Sequence, residues 1–153
     1  MPEITSGPPV YGRDFPPSGY DQDWTLQLNI ASTSYASGTP EVAVNVTAPS
    51  SGRVLVCLGA GIRNNGANTD TVIVTYRVLE DHSLGPVHTA ESAYRGVTSL
   101  GAGSEEFSYQ GNYALEEDLV PGRNYYFQMR HRVTVGSSTC DIASRNILVI
   151  PMP

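Results

Sequence analysis

The sequence predicts an all-β fold: a jelly-roll β-sandwich of about eight antiparallel strands over residues 23–153, preceded by an extended Pro-rich anchoring arm over residues 1–22. Three observations carry that reading. Apolar and polar residues alternate with a period of two in run after run, and no segment shows a convincing helical period. The runs are separated by clusters of Gly, Pro, Asn and Ser that favour turns. Charged residues make up only 16% of the chain against 40% hydrophobic, which is sparse for helical surfaces and suits sheets rich in Thr, Ser, Asn, Tyr and Val. At 153 residues the chain has the size of one domain with one substantial core.

The arm comes first. Residues 2–20 read PEITSGPPVYGRDFPPSGY, with no strand or helix periodicity. The pairs Pro8-Pro9 and Pro16-Pro17 fix φ and remove amide donors, which favours extended chain. Such a segment orders only against a surface, its own domain's or a neighbour's. Val10, Tyr11, Arg13, Asp14, Phe15, Pro16, Pro17 and Tyr20 are the residues expected to make those contacts. Asp21 and Asp23 flank the junction, placed to hold the arm by charge or to cap its amides.

From Asp23 the alternation is easy to follow. Trp24, Leu26, Leu28 and Ile30 share one parity, which predicts a half-buried strand. After a Ser-Gly-Thr-Pro turn, Val42, Val44, Val46 and Ala48 repeat the pattern. Pro49-Ser50-Ser51-Gly52 turns the chain into residues 53–62, where Val54, Val56, Leu58, Ala60 and Ile62 line one face and Leu55 and Cys57 the other. A strand apolar on both sides belongs in the middle of a sheet. Residues 64–68 mark a loop, and Val72, Val74, Tyr76 and Val78 resume the alternation.

The second half begins raggedly. Residues 81–92 read as a long loop or an edge, residues 94–97 as a short strand, and Gly101-Ala102-Gly103 as a turn. Phe107, Tyr109 and Tyr113 alternate along the next strand, which ends near Leu115. Leu119-Val120-Pro121-Gly122 is a further turn signal. Tyr125, Phe127, Met129, His131, Val133 and Val135 then alternate with Tyr126, Gln128, Arg130, Arg132 and Thr134. A Gly-Ser-Ser turn leads to the last strand, residues 140–150, whose Ile142, Leu148 and Ile150 share a parity.

Composition excludes several functions. A net charge of −6 argues against a nucleic-acid groove, which needs a basic patch. All nine basic residues are Arg, a pattern that codon bias accounts for and that also suits planar contacts at interfaces. The N-terminus lacks the basic region and apolar run of a secretory signal, and no apolar stretch is long enough to span a bilayer. The expectation is a chain made as a soluble cytoplasmic protein, with no membrane partner. Cys57 and Cys140 fit no metal-binding spacing and sit in apolar strands, which reads as buried thiols.

Chemistry is sparse. There is no GxSxG, phosphate loop or HExxH. His82 and His88 fall in a polar loop, and His131 holds a core-parity position. Glu116-Glu117-Asp118 lies before a turn, where adjacent carboxylates do not face each other across a substrate; a solvated or weakly cation-binding loop is the better reading. The sequence therefore predicts no catalytic residues, no bound cofactor and no metal. Tyr126, Gln128, Arg130 and Arg132, opposite the core set of their strand, carry more bulk and charge than a solvent face needs. Mixed Tyr/Arg surfaces are typical of protein contacts, so this set is the expected subunit interface. Tyr35, Tyr94, Tyr109 and Tyr113 are the candidates for stacking on a sugar.

The stretches TAPSSGRVLVCLGAGIRNNGAN, LVPGRNYYFQMRHRV and DIASRNILVIPMP resemble small structural proteins of actinobacterial tailed phages and prophages. Their layout in turn resembles the C1q/TNF-like jelly roll. The resemblance spans roughly residues 24–153 and rests on turn and core signals; the arm motif YGRDFPP fits the same setting. It implies a trimeric virion component, with a major capsid or other virion protein as partner. A capsid-surface decoration protein docked through its arm is the leading expectation. The alternative is a tail-tip protein that binds a host cell-wall glycan.

Overall fold

A computed structural model describes residues 15–65, 71–100, 106–135 and 139–153. Among these residues the chain forms ten strands: β1 (Gly19–Asp23), β2 (Gln27–Ile30), β3 (Ala43–Thr47), β4 (Arg53–Asn64), β5 (Thr71–Glu80), β6 (Val87–Thr89), β7 (Val97–Leu100), β8 (Ser108–Glu116), β9 (Asn124–Val133) and β10 (Cys140–Met152). A short 3₁₀ turn, Ala93–Arg95, precedes β7. Every pairing is antiparallel. The first sheet has the order β1-β10-β4-β8, with β2 also on β10; the second has β3-β9-β5-β6, with β7 also on β5. The two sheets face each other as a sandwich, and the all-β jelly-roll architecture expected from the sequence is the one observed.

Where the sequence alternates and one parity is apolar, that parity is buried. Val44 and Val46 of β3 and Val54, Val56, Leu58, Ala60 and Ile62 of β4 enter the core. They meet Val72, Val74, Tyr76 and Val78 of β5 and Tyr125, Phe127, Met129 and Val133 of β9. β4 lies between β10 and β8, the central position its two apolar faces require.

Several elements depart from expectation. The sheet begins at Gly19, so the last residues assigned to the arm are strand. In β1 the inward side chains are polar: Asp21 accepts from the Ala43 amide at 2.9 Å and Asp23 pairs with Arg145, while a Cβ on Gly19 would press on Val44 and Val46. The alternating partners, Tyr20 and Gln22, therefore face out. The predicted strand over residues 24–30 is broken. Only Gln27–Ile30 pairs with β10, and the Gln27 amide clamps the backbone of Thr39 through both its oxygen and its nitrogen. Asn29 takes left-handed backbone, φ 55°, a conformation Asn tolerates. That residue resets the parity, so Ile30 reaches the core while Trp24 stays 71% exposed, with Leu26 and Leu28 also outside.

The third departure is in β10. A register shift between Ile142 and Arg145 inserts extra chain and reverses the faces. Ile142, Ile147 and Val149 point into the core, whereas Leu148 and Ile150, of the same sequence parity as Ile142, lie on the opposite face. The predicted short strand at residues 94–97 is instead the 3₁₀ turn followed by β7, and the loop of residues 81–92 contains the edge strand β6.

Candidate assembly surfaces

β9 was the expected interface strand, and its outward side chains are engaged within the chain. Tyr126 donates to Glu41, and Gln128 is buried between Glu41 and Arg77. Burial and the neighbouring Glu41 push the Tyr126 phenol up to about 12. Arg130 donates to Glu91 at 3.1 Å and to the Tyr35 carbonyl, and Arg132 lies 4.9 Å from the Tyr35 ring centroid. The bulk and charge that set this face apart in the sequence thus serve to hold the segment 33–41 and Glu91 against the second sheet.

The first sheet presents the opposite situation. Its outer face can be followed in rows across β1, β10, β4 and β8 from the strand registers. Tyr20, Leu148, Cys57 and Tyr113 form one row, and Ile150, Leu55 and Leu115 the next. On the other side of the first row, Gln22, Asn146, Gly59 and Gly111 align. Beyond them the Tyr109 ring lies over Gly61, where a Cβ would come within 2.7 Å of it. Tyr113 is 75% exposed and Tyr109 69%, with Tyr20 and Leu115 about half exposed. Arg53 bounds the face at one end and the Arg63–Asp141 pair at the other. Between them the rows hold no carboxylate, guanidinium or imidazole.

Within the row of Gln22, Asn146, Gly59 and Gly111, Asn146 covers Gly59, and Gly111 leaves a recess. A Cβ on Gly111 would meet only the Leu58 carbonyl, at 3.4 Å. Tyr113 and Tyr109, two positions to either side of Gly111 on β8, stand as ridges beside it. Alternation had marked these tyrosines as one face of a strand; what the sequence did not reveal is that this face points away from the core. The one available signal was the polar parity of β8, which ends on Glu116.

The remaining candidates are scattered. Phe15 and Pro17 are exposed just before β1, with Pro16 half-buried, and Tyr20 donates to Gln22 at 2.6 Å. Val10, Tyr11, Arg13 and Asp14 lie outside the described residues. Of the proposed sugar-stacking residues, Tyr94, Tyr109 and Tyr113 are exposed and Tyr35 is half-buried beneath Arg132. The acidic run is split: Glu116 is buried and accepts from Tyr76, Thr89 and Arg95, whereas Glu117 and Asp118 line an open depression of about 520 Å³ beside Arg53. His82 caps Leu84, His88 packs edge-on against Tyr125 at 5.1 Å, and His131 is buried in β9. Cys57 sits half-buried on the outer face and Cys140 in the core, with no disulfide between them. Among the described residues no group of three or more His, Cys, Asp or Glu is placed to hold a metal, and no helix is long and apolar enough to cross a membrane.

The sequence matches no protein-family model and no curated protein. Among solved structures, the chain is similar to the Eiger TNF of S. frugiperda at a TM-score of 0.51 and 9% identity, over 91% of this chain and 94% of that one. That likeness shows a TNF-like jelly-roll fold. The CBM22-1 xylan-binding domain of Paenibacillus barcinonensis Xyn10C is a more distant resemblance, with a TM-score of 0.37 and 5% identity over 88% of each chain.

Proposed function

We propose that this chain is a phage virion structural protein, a capsid-surface decoration protein that docks through its N-terminal arm and projects a homotrimeric β-sandwich. The observation that carries the reading is the outer face of the first sheet. A surface of stacked Tyr, Leu and Ile rows without charge is costly to leave in water and is characteristic of a protein that works in contact with others. The fold is compatible with the same reading: two antiparallel sheets packed face to face as a sandwich. The segment before Gly19 leads directly into the edge strand of this sheet, so an arm held elsewhere would fix the sandwich by its margin.

Two measurements test the reading. Quantitative mass spectrometry of purified particles is expected to find the chain at high copy, in simple proportion to the major capsid protein. A few copies per particle, or binding of the isolated protein to cell-wall glycan, would instead favour the tail-tip alternative. Removal of residues 1–18 stops short of β1; it is expected to leave the circular dichroism and thermal melting of the sandwich unchanged and to abolish its attachment to particles. Full attachment of the shortened protein would exclude the arm as the anchor.

A further inference from the structure

We infer that the outer face of the β1-β10-β4-β8 sheet is where a second copy of this chain packs, and that the β9 face is not the subunit contact. The inference rests on the assembly role proposed above and names the partner of that surface. Three features select a second copy over other occupants.

The first is charge. Each copy carries a net charge of −6, so two copies repel over most of their surfaces. The rows between Arg53 and the Arg63–Asp141 pair are uncharged, which makes this the face on which two such copies can approach. The second is relief. The face carries ridges at Tyr109 and Tyr113 and a recess between them at Gly111, while neighbouring Gly59 lies under the Asn146 carboxamide. A copy therefore holds both the projection and the recess that a matching copy needs, with the Asn146 carboxamide one strand from the recess to bond a phenol hydroxyl. The third is area. Four strands about 4.8 Å apart and about nine residues long at about 3.4 Å each give roughly 600 Å² in plan. Side-chain relief adds to that, towards the size class of about 800 Å² per partner found in stable complexes. On β9, by contrast, Gln128 is buried and Tyr126 and Arg130 already hold partners in their own chain.

Cys57 provides a built-in reporter, since it lies directly across from Tyr113 and beside Leu148, while the other cysteine, Cys140, is fully buried. The experiment combines light scattering with the rate of thiol alkylation across a range of protein concentrations. The expected result is a multimer at micromolar concentration, with Cys57 alkylation slowing at least tenfold as the multimer forms. Tyr113→Glu is expected to yield a folded monomer with rapid alkylation, and Arg130→Gln to leave the multimer intact. Because the wild-type alkylation curve needs no substitution, a poorly folded variant does not remove the test. A monomer at all concentrations overturns the inference, as does a multimer in which Cys57 stays reactive, or one that Arg130→Gln dissolves while Tyr113→Glu does not. Saturable binding of cell-wall glycan that protects Cys57 in the monomer assigns the face to a sugar and also overturns it. The virion role fails separately, by absence of the chain from purified particles, whatever the solution assembly.

Discussion

Arg145 has the largest of the fully buried side chains in the described structure. It sits on the inward parity of β10, paired with Asp23 and donating to the Pro40 carbonyl at 2.8 Å. A Cβ on Gly38 would fall 1.6 Å from its Nη1, so only glycine leaves room for the guanidinium at that point. Burial alone would raise the Asp23 carboxyl, but its bonds to Arg145 and Thr25 outweigh this and hold it below the usual range. His131 shares this neighbourhood. Burial, then the nearby Arg145 and Arg130, push its pKa down to about 4, and its amide and carbonyl bridge Ala36. The folded state therefore holds a neutral imidazole, whereas the unfolded chain protonates His131 near its ordinary value of about 6.5. Between those values the unfolded state binds more protons, so stability is fully present above about pH 6.5 and is lost as the pH falls towards 4, by on the order of 3 kcal/mol. Urea unfolding at a series of pH values should show this slope, and His131→Gln should flatten it. A slope unchanged in the variant would assign it to other groups.

At the scale of elements, Glu116 ends β8 inside the sandwich and ties two strands of the second sheet and the 3₁₀ turn to the first sheet. It accepts from Tyr76 on β5 at 2.6 Å, from Thr89 on β6 at 3.1 Å and from Arg95 of the 3₁₀ turn at 2.9 Å. Burial and then this carboxylate push the Tyr76 phenol far up. Truncation at Glu116 strands a buried hydroxyl and a guanidinium, so Glu116→Ala is expected to cost about 3–5 kcal/mol. Tyr76→Phe removes one neutral donor and is expected to cost about 1–2 kcal/mol. Hydrogen exchange should show residues 87–97 loosening first in Glu116→Ala; uniform loosening of all strands would show that the carboxylate does not act as a local tie. Glu116 was invisible in the sequence because it stands in a run of acids beside a turn, where solvent is the ordinary reading. Strands β3, β4, β5 and β9 were legible because in them the apolar parity is also the buried parity. β1 and β8 were not, since their inward positions carry Asp21, Asp23 and Glu116 while Tyr20, Tyr109 and Tyr113 face out. In β10 the bulge reverses the faces midway, which no reading of strict alternation detects. The same inversion hid the candidate surface: Tyr126, Gln128, Arg130 and Arg132 looked unpartnered only because residues 33–41, which cover them, lie far away in sequence.

For the whole molecule, the two faces of the sandwich make opposite predictions about salt. A contact through β9 would set Arg130 and Arg132 of one copy against acidic groups of another. Screening would weaken it, because salt attenuates attraction between exposed charges, with a Debye length of about 10 Å at 0.1 M. A contact through the outer rows of Tyr, Leu and Ile has no charges to screen within it, whereas the surrounding net charge of −6 per copy opposes association throughout. Added salt reduces that repulsion and leaves the burial of apolar surface intact, and a strongly excluded anion such as sulfate strengthens it. Association followed by sedimentation from low to high sodium chloride should therefore tighten, and tighten further in sulfate at equal ionic strength. Dissociation with rising salt would place the contact on the arginine-bearing face instead. Replacing Leu115, at the margin of the apolar rows, with Lys should weaken association at low salt by less than Leu115→Glu does, because the positive charge offsets part of the repulsion between copies. Equal loss in both variants would show that packing alone, and not the charge of the assembled copies, sets the affinity.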